Sequence, residues 1–293
     1  MNGIVKEPYV YSSPGEPHRP RKVIRPVRPL FGSVPDDLSL LARYFGLFRA
    51  MTATRLKLRY RQSLLGWLWA VLQPLALMLV YVAVFSRVAG YDAAPSPYPL
   101  FVMAGLLPWS FCSTATTTAA GGMLSYQTLM AKVYFPREIV PLSYVAAALF
   151  DFLIAFVLLL AMMLFCGLPL SPQAIFAAPI MAIFTVIITA LCLLLSAMQV
   201  RIRDINIVLP LVLQVLMFTT PVVYPGTAVP EGFRAVYWAN PLAILIDDFR
   251  LAVLDGAAPN AGGLLYCAFA GGAFFLLAYG AFKRLEAKIV DEM

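Results

Sequence analysis

Two adjacent carboxylates, Asp247 and Asp248 in "NPLAILIDDFRLAVL", are the best-spaced candidates for metal-dependent chemistry in this chain. Neighbouring aspartates can hold a divalent cation for diphosphate chemistry such as prenyl transfer, but that motif asks for a third carboxylate three residues on, where Leu251 stands. The other reading is that both carboxylates face water or Arg250. His18 is the only histidine, with no second ligand near it, so no metal site is expected. Cys112, Cys166, Cys192 and Cys267 are scattered singly within or at the ends of apolar stretches, where cysteine acts as a small hydrophobe. They form neither a disulfide framework nor a metal pair.

A phosphate-cradling loop needs glycine immediately before its lysine, and no lysine in this chain follows a glycine. The chain therefore cannot hydrolyse ATP by that route. Asp151, in "AALFDFLIAF", lies inside an apolar run. An acid at membrane depth faces protein or water and is functional by default, although Asp151 could equally bond a Ser or Thr of a neighbouring helix.

Cations are patterned more strongly. In "RLKLRYRQSLLGWLW" Arg55, Lys57, Arg59 and Arg61 occupy every second position before the chain runs into Trp67 and Trp69. Period two is a strand pattern, but an unpaired strand at a membrane surface leaves its backbone unsatisfied. A helix lets the long basic stems lie over apolar surface, with the charges at anionic headgroups and the tryptophans marking the interface. Upstream, "DDLSLLARYFGLFRAM" offers Asp36 and Asp37 as caps and Leu38, Leu41, Phe45 and Phe48 along one face, so residues 36–66 read as an amphipathic interfacial helix region.

These residues must be positioned by elements suited to lipid. The chain is 61% hydrophobic and 13% charged, above the roughly 45–50% apolar content of soluble domains. Its net charge of +7 is unevenly placed on a chain too apolar for a basic groove, which excludes nucleic acid and favours a membrane surface. Apolar stretches near 67–86, 100–119, 142–165, 174–197, 205–223 and 262–282 each approach the span of a bilayer-crossing helix. They are apolar all round and lack the alternation of barrel strands. The fold class is therefore an all-α membrane protein with six transmembrane helices over residues 67–293. With the N-terminus inside, nineteen Lys and Arg fall on the cytoplasmic side and three, Arg87, Arg234 and Arg250, outside. That bias places both termini in the cytoplasm. The Pro-rich, cationic residues 1–35 read as an extended cytoplasmic tail, without the apolar core of a cleavable signal.

Four stretches, "LKLRYRQSLLGWLWAVLQPL", "KVYFPREIVPLS", "DFLIAF" and "TPVVYPGTAVPEGFRAVYWANPLAILIDDFR", resemble the permeases of type-2 ABC exporters for cell-surface polysaccharides such as O antigens, capsules and teichoic acids. The likeness runs from about Leu38 to the C-terminus. The Pro-rich tail departs from the usual pattern, as do the two acids of "ILIDDFR" where Gly and a single Glu are usual.

The resemblance implies a homodimer in the bacterial inner membrane, carrying two copies of a separate ATPase that binds ATP and Mg. This chain would itself bind no cofactor. It further implies that the interfacial helix and the inner loop dock on that ATPase, through Tyr126, Lys132, Tyr134, Phe135, Pro136, Arg137 and Glu138. The segment between spans five and six would fold back as re-entrant periplasmic helices closing the outer mouth, with Tyr224, Tyr237, Trp238, Asn240 and Pro241 at the gate. Pro221, Pro225 and Pro230 break that segment, and its charges bar it from lipid. The implied cargo is a polysaccharide on a lipid carrier. The alternatives are export of a drug, haem or small lipid by the same architecture, and a membrane-embedded glycan or prenyl transferase.

Overall fold

A computed structural model of the protein describes residues 41–61, 66–88, 97–133 and 135–292. The tail at 1–35, the caps Asp36 and Asp37, Leu38, and Tyr134 of the inner loop lie outside the described residues. Among the described residues the secondary structure is entirely helical.

Helix α1 is Phe45–Tyr60, α2 Trp69–Val88 and α3 Tyr98–Ala120. Two short helices, α4 Gly122–Ser125 and α5 Gln127–Lys132, precede α6 Ile139–Phe165. The chain continues with α7 Ala177–Arg201 and α8 Ile205–Thr219, then the short α9 Arg234–Ala239, α10 Pro241–Val253 and the long α11 Ala261–Glu292.

Each of the six apolar stretches coincides with one helix. Four segments are long and apolar enough to cross a membrane: Tyr98–Ala120, Ile139–Phe165, Pro172–Arg201 and Ala261–Glu286. The apolar parts of α2, Trp69–Phe85, and of α8, Ile205–Thr219, are shorter. At 1.5 Å per residue, α8 reaches about 22 Å, less than a hydrocarbon core of about 30 Å. It stops where Pro221 approaches.

Helix α7 packs along α11, and α3 along α6. The main core lies between them, filled by side chains such as Phe111, Phe152, Phe184 and Phe249, whose rings meet at 6.1–6.2 Å. Outward faces remain apolar: Leu153 and Val157 of α6, Leu211 and Val215 of α8, and Phe269 and Leu277 of α11 are exposed, as lipid-facing surfaces are. A second, smaller core gathers Met51 of α1, Met123 and Met130 of the inner loop, Phe135, Leu193 and Phe282. Segments assigned to the cytoplasm by charge therefore share one end of the bundle.

The inward face of α1 differs from the expected one. Leu41, Tyr44, Leu47, Phe48 and Met51 pack against the second core, whereas Phe45 is exposed. The packed seam runs through positions 41, 44, 48, 51 and 55, so Phe45 lies off it.

Orientation is testable at sites the structure leaves open. Gly226 is unsuited to a cysteine probe, since an added Cβ would lie 2.6 Å from the Tyr237 hydroxyl. Ala228 and Ser125 are exposed. With the charge bias setting orientation, Ala228→Cys should react with an impermeant maleimide in intact cells and Ser125→Cys only after lysis. The reverse pattern would overturn the topology.

Candidate functional site

At the α1 end, the inner loop divides into an outward ridge and an inward wedge. The ridge is α5, whose Leu129 and Lys132 are exposed, with Val133 beside them. The wedge is Phe135, Pro136 and Glu138, all buried. Glu138 is only 2% exposed, and a carboxylate taken so far out of water must be paired. Lys283 of α11 supplies the pair, and the Tyr279 hydroxyl donates to Glu138 Oε1 at 3.5 Å. Beside it, Arg137 donates to the Glu286 carbonyl at 3.2 Å and faces the Glu286 carboxylate at 3.8 Å. Glu286 in turn lies 3.6 Å from Lys283. Four alternating charges therefore fasten the inner loop to the last helix. Of the expected docking residues, Lys132 faces outward, Tyr126 is half-buried, and Phe135, Pro136 and Glu138 position the loop from within.

This network makes a specific expectation. Lys283→Ala should cost about 1–3 kcal/mol, between the exposed and fully buried cases for an ion pair. Exchanging the two charges, Glu138→Lys with Lys283→Glu, should recover part of that loss in a thermal-melt assay, while Glu138→Lys alone should not.

Arg55, Lys57, Arg59 and Arg61 do not act as one cluster. Alternate positions on a helix fall about 200° apart, so the four split into two faces. Lys57 and Arg61 are exposed. Arg55 turns inward, donating from Nε to Ser143 Oγ at 2.8 Å and lying 3.0 Å from the centre of the Tyr144 ring. One turn on, Arg59 forms an ion pair with Asp151. The acid inside α6 is thus paired with a cation reaching in from α1.

At the opposite end, α10 is buried on nearly every side against α3, α7 and α11. Pro241 opens it without needing a hydrogen-bond donor, and Asn240 caps it by accepting from the Leu242 N–H at 3.0 Å. The Asn240 amide also donates to Thr220 Oγ1 at 3.1 Å, tying the cap to the end of α8.

The centre of this region is Arg250, 3% exposed. Its guanidinium donates to the carbonyls of Pro221 (2.7 Å) and Val222, faces Asp247 at 3.1 Å, and sits 4.0 Å from the centre of the Phe101 ring. Gly105 makes the room, since an added Cβ would collide with the guanidinium and the Val222 carbonyl. Burial pushes the Asp247 carboxyl above the usual range, against the pull of Arg250 and of the Tyr237 hydroxyl that donates to it. Asp248 accepts from the Asn260 N–H at 3.4 Å. Both carboxylates of the DD pair therefore bind protein groups, with Oδ2 of Asp248 left buried and without a hydrogen-bond partner.

The other expected gate residues surround this knot. The Tyr224 hydroxyl donates to the Phe218 carbonyl at 2.8 Å, Tyr237 is buried, and Trp238, 59% exposed, stands edge-on to it at 5.1 Å. The structure brings Tyr237, Trp238, Asn240 and Pro241 together, and adds the Arg250–Asp247 pair, which the sequence offered as one alternative beside water. Their i, i+3 spacing was the available signal.

A bundle of long lipid-facing helices, with a charged loop pinned at one end and a buried short helix at the other, is a multi-pass helical membrane protein. The ABC-2 type transporter family model matches residues 46–254, and the chain belongs to that family. It is 32% identical over 227 residues, 77% of this chain and 86% of the relative, to the O-antigen export system permease protein RfbA of Myxococcus xanthus. The protein of the same description from Klebsiella pneumoniae is 29% identical over 217 residues, 74% of this chain and 83% of the relative. The polysialic acid transport protein KpsM of Escherichia coli is 23% identical over 224 residues, 75% and 85% of the two chains.

Proposed function

We propose that this chain is the permease subunit of an ATP-driven exporter that moves a lipid-linked polysaccharide, of the O-antigen kind, across the bacterial inner membrane. The observation that carries this reading is the match to an O-antigen export permease over most of both chains. In this reading the chain spans the membrane six times, with both termini cytoplasmic, and works as a homodimer. ATP and Mg bind two copies of a partner ATPase, consistent with the absence of a phosphate loop from this sequence. The chain binds no cofactor itself.

The exposed ridge of α5 supports an ATPase dock, as an apolar side chain beside a cation at the tip of an anchored loop. The buried α10 and the exposed Trp238 next to it support a re-entrant gate that closes the outer mouth. Deleting the gene should remove one surface polysaccharide, restored by the gene in trans. Unchanged surface glycans together with altered drug or haem tolerance would favour the small-substrate alternative.

A further inference from the structure

Two cavities lie side by side along α1, one of about 140 Å³ and one of about 250 Å³, and both are lined by Arg59, Thr114 and Ala148. We propose that this cleft binds the phosphate ester of a membrane amphiphile between Arg55 and Arg59. The inference goes beyond the export reading and does not depend on the cargo being a glycan.

The charge in the cleft is unbalanced. Two guanidinium groups one turn apart on α1, those of Arg55 and Arg59, line the two cavities against the single lining carboxylate of Asp151, which pairs with Arg59. No carboxylate pairs with Arg55 among the described residues, and Arg55 keeps one buried guanidinium nitrogen with no hydrogen-bond partner. Tyr126 and Tyr144 hold the group by their ring faces, which fixes its position without neutralising it. A fixed guanidinium with unspent donors suits a phosphate, whose oxygens match its fork.

The walls suit an amphiphile better than a free ion. Gln73, Ser110 and Thr114 supply polar edges, while Trp69, Leu58 and Ala147 give apolar surface for a hydrocarbon chain. The Arg59 side chain is 42% exposed, so an incoming anion can reach it. Asp151 would then serve as a resident counter-ion, holding Arg59 until a phosphate takes its place.

The full chain in phosphatidylcholine nanodiscs, titrated with decaprenyl phosphate, phosphatidylglycerol or inorganic phosphate, tests this. Loss of one charge-assisted contact should weaken binding about tenfold. That loss is expected for Arg55→Gln and for Arg59→Gln, but not for Lys57→Gln or Arg61→Gln, which remove equal charge from the other face. Asp151→Asn should tighten binding by removing the competing anion, an outcome readable even if an arginine variant fails to fold. Equal binding of both lipids would mark a general phospholipid site, and preference for decaprenyl phosphate a headgroup site for a prenyl-linked molecule. Either result upholds the phosphate-ester assignment. It is overturned if all four basic variants behave alike, if Asp151→Asn weakens binding, or if inorganic phosphate binds as well as the lipids.

Discussion

Arg250→Met should destabilise the protein by about 3–5 kcal/mol, the range for removing one partner of a buried pair. The substitution keeps most of the side-chain volume, so the loss isolates the guanidinium. It strips donors from the Pro221 and Val222 carbonyls and leaves the half-buried Asp247 without its cation. Arg250→Lys should rescue little, because a single ammonium cannot span two carbonyls and a carboxylate in one plane. Gly105→Ala should cause a loss of similar kind, since its methyl group would occupy the guanidinium site. The two changes share the guanidinium contact, while the clash with the Val222 carbonyl belongs to Gly105→Ala alone, so the double variant Gly105→Ala with Arg250→Met should fall short of the summed losses. Thermal melts of purified protein would measure all of these. Additive losses would show that Gly105 and Arg250 act separately and that the knot is not a single unit.

Leu129→Glu combined with Lys132→Glu should nearly abolish co-purification of the partner ATPase while leaving yield and melting temperature near wild type. Both side chains are exposed on α5 and neither anchors the loop, so the change acts on the surface alone. A negative charge at the centre of an interface commonly costs several kcal/mol, and every 1.4 kcal/mol is about tenfold in affinity. Phe135→Ala should behave in the opposite way. Its ring is buried in the second core with Met51, Met130 and Phe282, so truncation should cost about 3–5 kcal/mol in stability. Wild-type ATPase retention by the Leu129 and Lys132 variant would remove α5 from the dock.

The division between ridge and wedge shows where sequence reading ends. Aromatic and charged residues in "KVYFPREIVPLS" marked the inner loop as important, but type alone cannot say which of them face inward. That depends on Lys283 and Glu286, about 145 residues later in the chain, which meet Glu138 and Arg137 only after α11 packs. The pairing of Arg59 with Asp151, 92 positions apart, was hidden for the same reason. By contrast, the split of the four α1 cations needed only helix geometry, although the sequence reading kept all four together at the headgroups. The apolar runs located every long helix because burial in lipid needs no partner to be recognised, whereas the short α8 reflects Pro221, whose effect on length is local and structural.

If this chain moves a lipid-linked polysaccharide across the membrane as proposed, the location of that polymer in a deletion strain is the most direct test. The missing surface glycan should be present inside the cells, bound to its lipid carrier and hidden from an impermeant lectin until the cells are opened. Loss of the polymer from both compartments, with its precursors accumulating, would contradict the account and place the chain in synthesis instead of export.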